Sequence, residues 1–555
     1  MTSYSTIRTD ILVVGAGAAG CYAALQAKEK TKNVILATKG RLGHSGCTLN
    51  IKTTASLLNY NSHKNSDNPD IAANDLYKAG CYLGDRSLIH FLIENGNVVL
   101  EELEQWGIAF KRNKQDMVHV VKYPGHSYAR NFFFHPGRDI IDASYGHPPG
   151  IAIMSTLSSR LKKIGLPIYE DIMLVDIIID KEGVKAAIFY NYLSNEYLIF
   201  ETNTIVLATG SYGQIFSRTK SSIFDTGDGH AVCYRNGMSL IDMEAIQYDP
   251  IDLRLAPGID ILNKDNKTFL NEYNIVNPFT YMKEPLTQAV CLEMGSAHSH
   301  VLADFRRCFT HEACPEWLHT LQKDVLNNKN INLKNTLIKT RPLAHTTFGG
   351  IPVKQKGATE VPGLFAAGAV AGGIYGFARP KGFTSMLALV YGRYSGDEAS
   401  LYFSNSRKST NINPNVVEIS IKDLEANFAN SNSGNDVHIL TKELEDISDR
   451  SAWYVKSEQS LEKGINELAL LVNKAKEKKI RVTNNQDKRL AFEWENKALM
   501  LNLHLKSSLS RCESRGVFFR KDYPTLNEDW QKNILIKKSS TDDDVISLMK
   551  NNRTW

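Results

Sequence analysis

The sequence predicts an α/β protein: a parallel-sheet domain is interrupted by an inserted α+β domain and followed by a helical C-terminal domain. Three observations predict it. Apolar runs bounded by glycine recur far apart, at Ile11–Val14, Thr204–Thr209 and Gly363–Ala367, and strands buried on both faces of a parallel sheet read as continuous apolar runs. Between Ala231 and Lys339 the pattern turns irregular before the last of these runs returns, which marks an insertion. From Leu440 to Leu509 the periodicity is mostly helical.

Taken in order, Ile11–Val14 is closed by Gly15, the Ala-rich stretch Ala18–Ala27 reads as a helix, and Asn33–Ala37 supplies a second strand, completing a βαβ unit. Val98–Trp106 is helical in pattern, and Ile177–Ile179 with Ala186–Tyr190 resembles a strand pair. A shift to Asn, Ser and Lys after residue 403 reads as a linker. The expected division is a split nucleotide-binding domain at 1–230 and 340–402, a capping domain at 231–339, a linker at 403–438 and a helical domain at 439–555.

With 555 residues the chain exceeds what one core supports, roughly 250–300 residues, so a small binding module is excluded. The 65 basic residues nearly balance the 60 acidic ones, a field too weak to argue for nucleic acid. Eight cysteines without a CxxC pair read as reduced thiols, not as a disulfide scaffold, a metal site or a cluster held by the chain itself. The N-terminus enters a strand directly, and no apolar run approaches the roughly 18–20 residues that span a bilayer. The expectation is a cytoplasmic protein, or a peripheral one on the inner membrane face.

Gly15-Ala16-Gly17-Ala18-Ala19-Gly20 follows a strand and opens a helix. In such a context the glycines serve three ends, which are a tight turn, backbone approach to a pyrophosphate, and close helix–strand packing, while the helix N-terminus stabilises phosphate charge. The second strand ends Leu36-Ala-Thr-Lys39, without the acidic residue that grips ribose hydroxyls, so the ribose falls to Thr38, to backbone or to another loop. Two later Gly-bounded strands, ending at Thr209-Gly210 and at Gly368, suit FAD better than NAD, because FAD folds close over the flavin with late segments of the chain.

These residues resemble the flavoprotein subunits of succinate dehydrogenase and fumarate reductase, with L-aspartate oxidase as a soluble relative. The match is carried by Gly15–Gly20, Ala208–Gly213, Thr226-Gly-Asp-Gly229, His345-Thr-Thr-Phe-Gly-Gly350, Val361–Gly368, Tyr375–Gly382, Arg511–Gly516 and Arg520–Pro524. The resemblance implies a Rossmann-like FAD domain split around a capping domain, and hydride exchange between flavin and a small carboxylate-bearing substrate. It implies His345 and Arg379 as substrate-binding residues. As cofactor contacts it implies the glycine loop, Lys39, Ser45, Gly46, Cys47, Thr209, Gly210, Asp228, Gly368, Thr384 and Ser385. An iron–sulfur electron-transfer subunit is the partner such a flavoprotein would take; the other readings are an aspartate-oxidase-like amino acid oxidase and an FAD protein without turnover.

Several positions depart from the family. The histidine that tethers FAD covalently in respiratory members falls on Gly46, with His44 two residues early, so the expected FAD is non-covalent. The proton-donating arginine of the capping domain falls near Lys283. The family's His-Pro-Thr reads Asp249-Pro-Ile, and Tyr375, Ala378 and Ala369 replace a His, an Asn and a Glu. The flavin site and half of the carboxylate clamp are kept, while the proton donor and the second carboxylate site are changed, which makes fumarate and succinate doubtful substrates.

Overall fold

A computed structural model of the chain describes residues 4–51, 67–112, 114, 116–132, 134–135, 149–406, 412–429, 434–539 and 544–550. Five parallel strands form the central sheet in the order Leu364–Ala366, Ile205–Leu207, Ile11–Val14, Val34–Ala37, Ile168–Tyr169. Ile11–Val14 and Val34–Ala37 are buried along their whole length, as their unbroken apolar character requires. Val14, Leu207 and Ala366 stand in register at the C-terminal ends of three neighbouring strands. Those ends deliver the three glycine-containing turns to one edge, the place where open α/β sheets bind ligands.

Helix Ala18–Lys30 packs against helix Phe383–Asn405. The contact is close because Gly392 and Gly396 face its backbone: a Cβ on either would lie 2.6 or 2.3 Å from the carbonyl oxygens of Ala19 and Ala23. A second sheet pairs Tyr4–Arg8 in parallel with Glu196–Glu201, which continues antiparallel through Gly183–Asn191 to Ile172–Asp180, and contains the strand pair expected from the sequence.

The insertion builds its own core around Ile251, Phe269, Val290, Phe305, Leu318 and Leu333, beneath a three-stranded antiparallel sheet of Asp260–Leu262, Val301–Asp304 and Ile338–Thr340. Its entry strand Ile246–Asp249 and exit strand Leu343–Thr347 pair antiparallel, so the chain enters and leaves the insertion through one two-stranded ribbon.

Three long helices follow at Val437–Ser451, Glu458–Lys478 and Asn485–Ser510. Their starts are set by side-chain caps: Asp436 accepts from His438 N, Ser457 and Ser460 form a reciprocal capping box, and Asn484 accepts from Gln486 N and Asp487 N. The C-terminal part is not helical throughout, since the hairpin Lys532–Lys538 and Asp544–Lys550 takes Leu240–Ile241 as a third strand.

The segment expected as a linker holds the helix Pro414–Leu424, capped by Asn413 with Pro414 in its first turn. Val417 and Ile421, four residues apart, bury themselves in a cluster with Met173, Tyr197 and Phe492. Residues 407–411 and 430–433 of that segment lie outside the described ones. Surrounding Asn and Ser obscure the apolar spacing, although Asn-Pro is a helix-start signal.

Because Gly396 meets backbone atoms that cannot turn aside, Gly396→Val should destabilise the protein by roughly 1–3 kcal/mol or more. Urea unfolding should show a lowered midpoint with an unchanged slope.

Candidate active site

The three glycines of the first turn separate into two kinds. Gly15, at φ +105°, and Gly20 are required by the protein: added Cβ atoms would lie 2.2 Å from Ala208 O and 1.7 Å from Gly15 O. Gly17 is not. It caps the helix at φ −73°, a conformation open to any residue, and a Cβ there would meet only Thr48 Oγ1, at an ordinary 3.5 Å. Space kept open at a helix N-terminus, with no demand from backbone or neighbours, fits a bound pyrophosphate. Thr48 Oγ1 accepts from Ala18 N at 3.1 Å.

Other expected cofactor contacts lie on the turns after strands Ile205–Leu207 and Leu364–Ala366 and at the start of helix Phe383–Asn405. The buried hydroxyls of Thr209 and Thr384 have no hydrogen-bond partner among the described residues, as groups awaiting a polar ligand would. Ser385 Oγ donates to Gly382 O at 2.8 Å in the first turn of helix Phe383–Asn405. Gly368 sits against Ala19, with an added Cβ 3.0 Å from that methyl. Gly210 carries φ +84°, and a Cβ there would press on Asp225 Oδ1 at 2.5 Å. These residues fit the FAD that the motifs imply.

Lys39 and Asp228 engage each other. Lys39 Nζ lies 2.8 Å from Asp228 and 3.2 Å from Glu493 and donates to Thr226 Oγ1 at 2.7 Å; Asp228 also accepts from Asn496 Nδ2 at 3.0 Å. Thr38 is buried, its backbone N–H donating to Tyr169 O at 2.8 Å. Ser45 Oγ donates to Arg41 O at 2.9 Å, Cys47 Sγ donates to Asp225 Oδ2 at 2.9 Å, and between them Gly46 has open space in front of its Cα.

The candidate catalytic residues lie where the insertion meets the nucleotide fold. In the entry–exit ribbon, Gln247 pairs with Thr346 and Tyr248 with Ala344, leaving His345 as the bulged residue; such bulges re-aim a side chain. His345 Nδ1 lies 2.9 Å from Thr346 Oγ1 and 3.4 Å from Gln247 Oε1. Burial, reinforced by Lys283, holds its pKa well below the usual imidazole value, so the ring is neutral at pH 7. Arg379, 7% exposed, donates from Nη2 to Thr346 Oγ1 at a long 3.5 Å, and its buried Nε has no partner among the described residues.

Lys283 opens helix Lys283–Met294 and ion-pairs with Asp249, which also pairs with Lys220. Burial alone would raise the Asp249 carboxyl, but the charged forms of His345, Lys283 and Lys220 beside it hold it well below the carboxylate range. Burial lowers the Lys283 pKa, Asp249 opposes that, and Arg379 adds to it. Glu284, raised by burial, accepts from Gln247 Nε2 at 2.6 Å. The structure brings His345, Arg379 and Lys283 together and adds Thr346, which lies inside the His345–Gly350 motif without having been singled out, and Lys220 and Gln247, which no motif marks. The one available signal is Gln247 two residues before Asp249, on the same face of a strand.

Because the protein itself tolerates a side chain at position 17, Gly17→Val should fold with a near-native thermal midpoint yet lose FAD. The ratio of flavin absorbance to protein absorbance measures this directly.

Residues 10–385 match the family model described as FAD binding domain, and residues 441–552 match that of the fumarate reductase flavoprotein C-term. One relative, from the fumarate reductase (CoM/CoB) of Methanothermobacter marburgensis, is 25% identical, with 95% of this chain and 97% of the relative covered. The fumarate reductase flavoprotein subunit of Proteus vulgaris is 24% identical over 94% and 91%. Sdh1 of Mycobacterium smegmatis, solved with UQ1, superposes with a TM-score of 0.87 at 23% identity, covering 98% and 95% of the two chains. Among the described residues no helix is long and apolar enough to cross a membrane. With its first motif, its sheet and its C-terminal helices all in place, the chain belongs to the FAD-dependent oxidoreductase family that joins the FAD binding domain to the fumarate reductase flavoprotein C-terminal domain.

Proposed function

We propose that the chain holds FAD without a covalent bond and exchanges a hydride between the flavin and a small carboxylate-bearing acid. The observation that carries this reading is Arg379. A buried guanidinium without a carboxylate partner is costly, and among the described residues the Arg379 guanidinium makes one hydrogen bond, a long one to a hydroxyl. A substrate carboxylate would satisfy the free edge of the guanidinium with two parallel N–H donors.

Bound FAD supplies a ring nitrogen, N5, that takes or gives the hydride. The chain's own residues do the rest. Arg379 fixes the acid by its carboxylate, and His345, neutral at pH 7, offers a hydrogen-bonding edge without adding charge. Lys283 Nζ holds a proton that its lowered pKa makes easier to release. Asp249 keeps that ammonium in place and links it to Lys220, whose side chain is 38% exposed, giving the proton a route toward solvent.

Non-covalent attachment rests on Gly46 at the tether position, since glycine offers no atom for a histidyl bond. The relative from Methanothermobacter is named as one subunit of its enzyme, and the scattered cysteines of this chain suit no cluster. Both support a separate iron–sulfur protein as electron partner, with the chain in the cytoplasm or peripheral on the inner membrane face. Co-purification of an iron–sulfur protein from the native source checks the partner.

Acid precipitation of the holoprotein should release its flavin into the supernatant; colour kept in the pellet would place a covalent bond, with His44 the residue to test. Anaerobic titration with a panel of carboxylic and amino acids should bleach the flavin with at least one of them, and absence of bleaching with every member would remove the oxidoreductase reading. With that acid, Arg379→Lys should keep FAD but lower kcat/KM by about a hundredfold, because Lys retains the charge and loses the two-donor fork. Part of the loss should fall in kcat, since orientation against N5 is what the fork supplies.

A further inference from the structure

We propose that strand Asp544–Lys550 is the surface through which two copies of this chain pair, edge to edge and antiparallel about Ser547. The inference stands apart from the redox reading above. The strand is the outer member of the three-stranded sheet of Leu240–Ile241, Lys532–Lys538 and Asp544–Lys550. The opposite edge of that sheet is covered, because Ile241 exchanges two backbone hydrogen bonds with Gly350. The outer edge of Asp544–Lys550 has no paired strand among the described residues. Its seven residues, Asp544-Val-Ile-Ser-Leu-Met-Lys550, hold no proline or glycine and pair with Lys532–Lys538 in unbroken register, without a bulge. A regular, apolar edge of this kind is a template for another strand, and proteins that stay apart blunt it.

Which backbone groups the edge offers follows from the neighbouring strand. Ile534 O accepts from Asp242 N at 2.9 Å, and Lys532 O accepts from Arg511 Nη2 at 2.9 Å. Both groups are therefore turned away from the hairpin partner. Opposite residues of an antiparallel pair share one state, bonded or not, and the states alternate along the strand. Lys550, Leu548, Ile546 and Asp544, which stand opposite Lys532, Ile534, Ile536 and Lys538, thus point their N–H and C=O groups out of the free edge. Pairing about Ser547 sets Asp544 opposite Lys550 and Ile546 opposite Leu548 of the second copy. These are the outward-pointing residues on both sides, so the two edges meet in phase and form about eight hydrogen bonds.

The side chains fit the same register. Val545 and Leu548, 51% and 47% exposed, would lie against Met549 and Ile546 of the second copy. Ile546 already packs on the main core, on the face that buried Ile534 and Ile536 share, so Leu548 of each copy would extend that apolar row. The charges at the two ends are complementary. Lys550 stands opposite Lys532 in the hairpin, a like-charge pair, and has no carboxylate in ion-pair reach among the described residues; the second copy brings Asp544. That Asp544 is already placed by Lys506, Tyr234 and Asn502. A shift of two residues either way keeps the backbone in phase but sets Lys550 opposite Ile546, or Asp544 opposite Leu548, and so loses the match of charges. The contact is isologous and uses the one free edge of each sheet, so assembly closes at two copies.

The test uses the full chain and sedimentation velocity over a range of concentrations. Two strand edges make a small interface, so wild type should pass from monomer to dimer within roughly 1–100 µM. Leu548→Pro removes an outward N–H and leaves the hairpin ladder intact, the place where a strand accepts proline. It should keep the circular dichroism spectrum and raise the dissociation constant at least about tenfold, two bonds being lost per dimer. The register is read by cysteine linking. Ser547 would face its own copy in a non-hydrogen-bonded pair, about 4.5 Å between Cα atoms, which a disulfide can span. Mild oxidation should therefore link Ser547→Cys into dimers. Val545→Cys, whose two copies would stand four residues apart, roughly 14 Å, should link no more than wild type with its eight cysteines. Should Leu548→Pro fail to fold, the linking pattern decides. Wild type monomeric up to about 100 µM, a dimer unmoved by a folded Leu548→Pro, or linking through Ser547→Cys no greater than through Val545→Cys would overturn the pairing.

Discussion

A buried chain of charges holds the parts of this molecule to one another. Glu244, Arg511, Glu513 and Arg515 run in sequence, with contacts of 2.9, 3.0 and 2.8 Å and every side chain 0–1% exposed. Glu244 lies just before the strand that enters the insertion, whereas the other three belong to the loop after the last long helix. Arg515 continues the chain to Cys81 O at 3.1 Å. Removing one member of such a row leaves its neighbour charged and dry, which typically costs about 3–5 kcal/mol.

That connection matters because of what Cys81 supports. Cys81 and Tyr82 are consecutive non-glycine residues at φ +55° and +64°, a conformation that costs about 1–3 kcal/mol at each position and survives only when its surroundings impose it. Arg515, Gln531 and Asn533 supply the grip, donating to the carbonyls of Cys81, Tyr82 and Leu83. The loop they shape packs directly on the segment before Arg379: Phe377 N donates to Gly80 O at 3.0 Å, and an added Cβ at Gly80 would lie 1.8 Å from Tyr375 O. The C-terminal part of the chain therefore sets the position of a candidate substrate-binding arginine from behind.

Local patterns make the nucleotide half legible. Gly15–Gly20 after an apolar run, and two further Gly-bounded runs, are adjacent-residue signals, and they map onto neighbouring parallel strands. His345 and Arg379 stand out through their immediate contexts, and the structure places both beside Thr346. What stays hidden depends on distant residues. Lys220 and Lys283 are 63 positions apart, and only the fold makes them share Asp249. The carbonyl of Lys381, two residues past Arg379, accepts from His126 and Asn131, which lie 255 and 250 residues earlier. The buried triad of Asp67, Arg130 and Asp75 has no spacing that a sequence pattern could report.

Asp249 is where the departure from the family has the most chemical meaning. Placing a carboxylate where the resemblance leads one to expect a cation looks like a loss, yet it makes two lysines tolerable in one buried place. Without that anion Lys220 and Lys283 would repel each other, and the Lys283 pKa would fall further. With it, Lys283 keeps its proton while burial and Arg379 weaken its hold, a balance that a guanidinium cannot reach because it does not deprotonate in proteins. Under the proposed function the roles at this junction divide by residue type: the arginine is a fixed charge that orients, and the lysine is a charge whose proton can move.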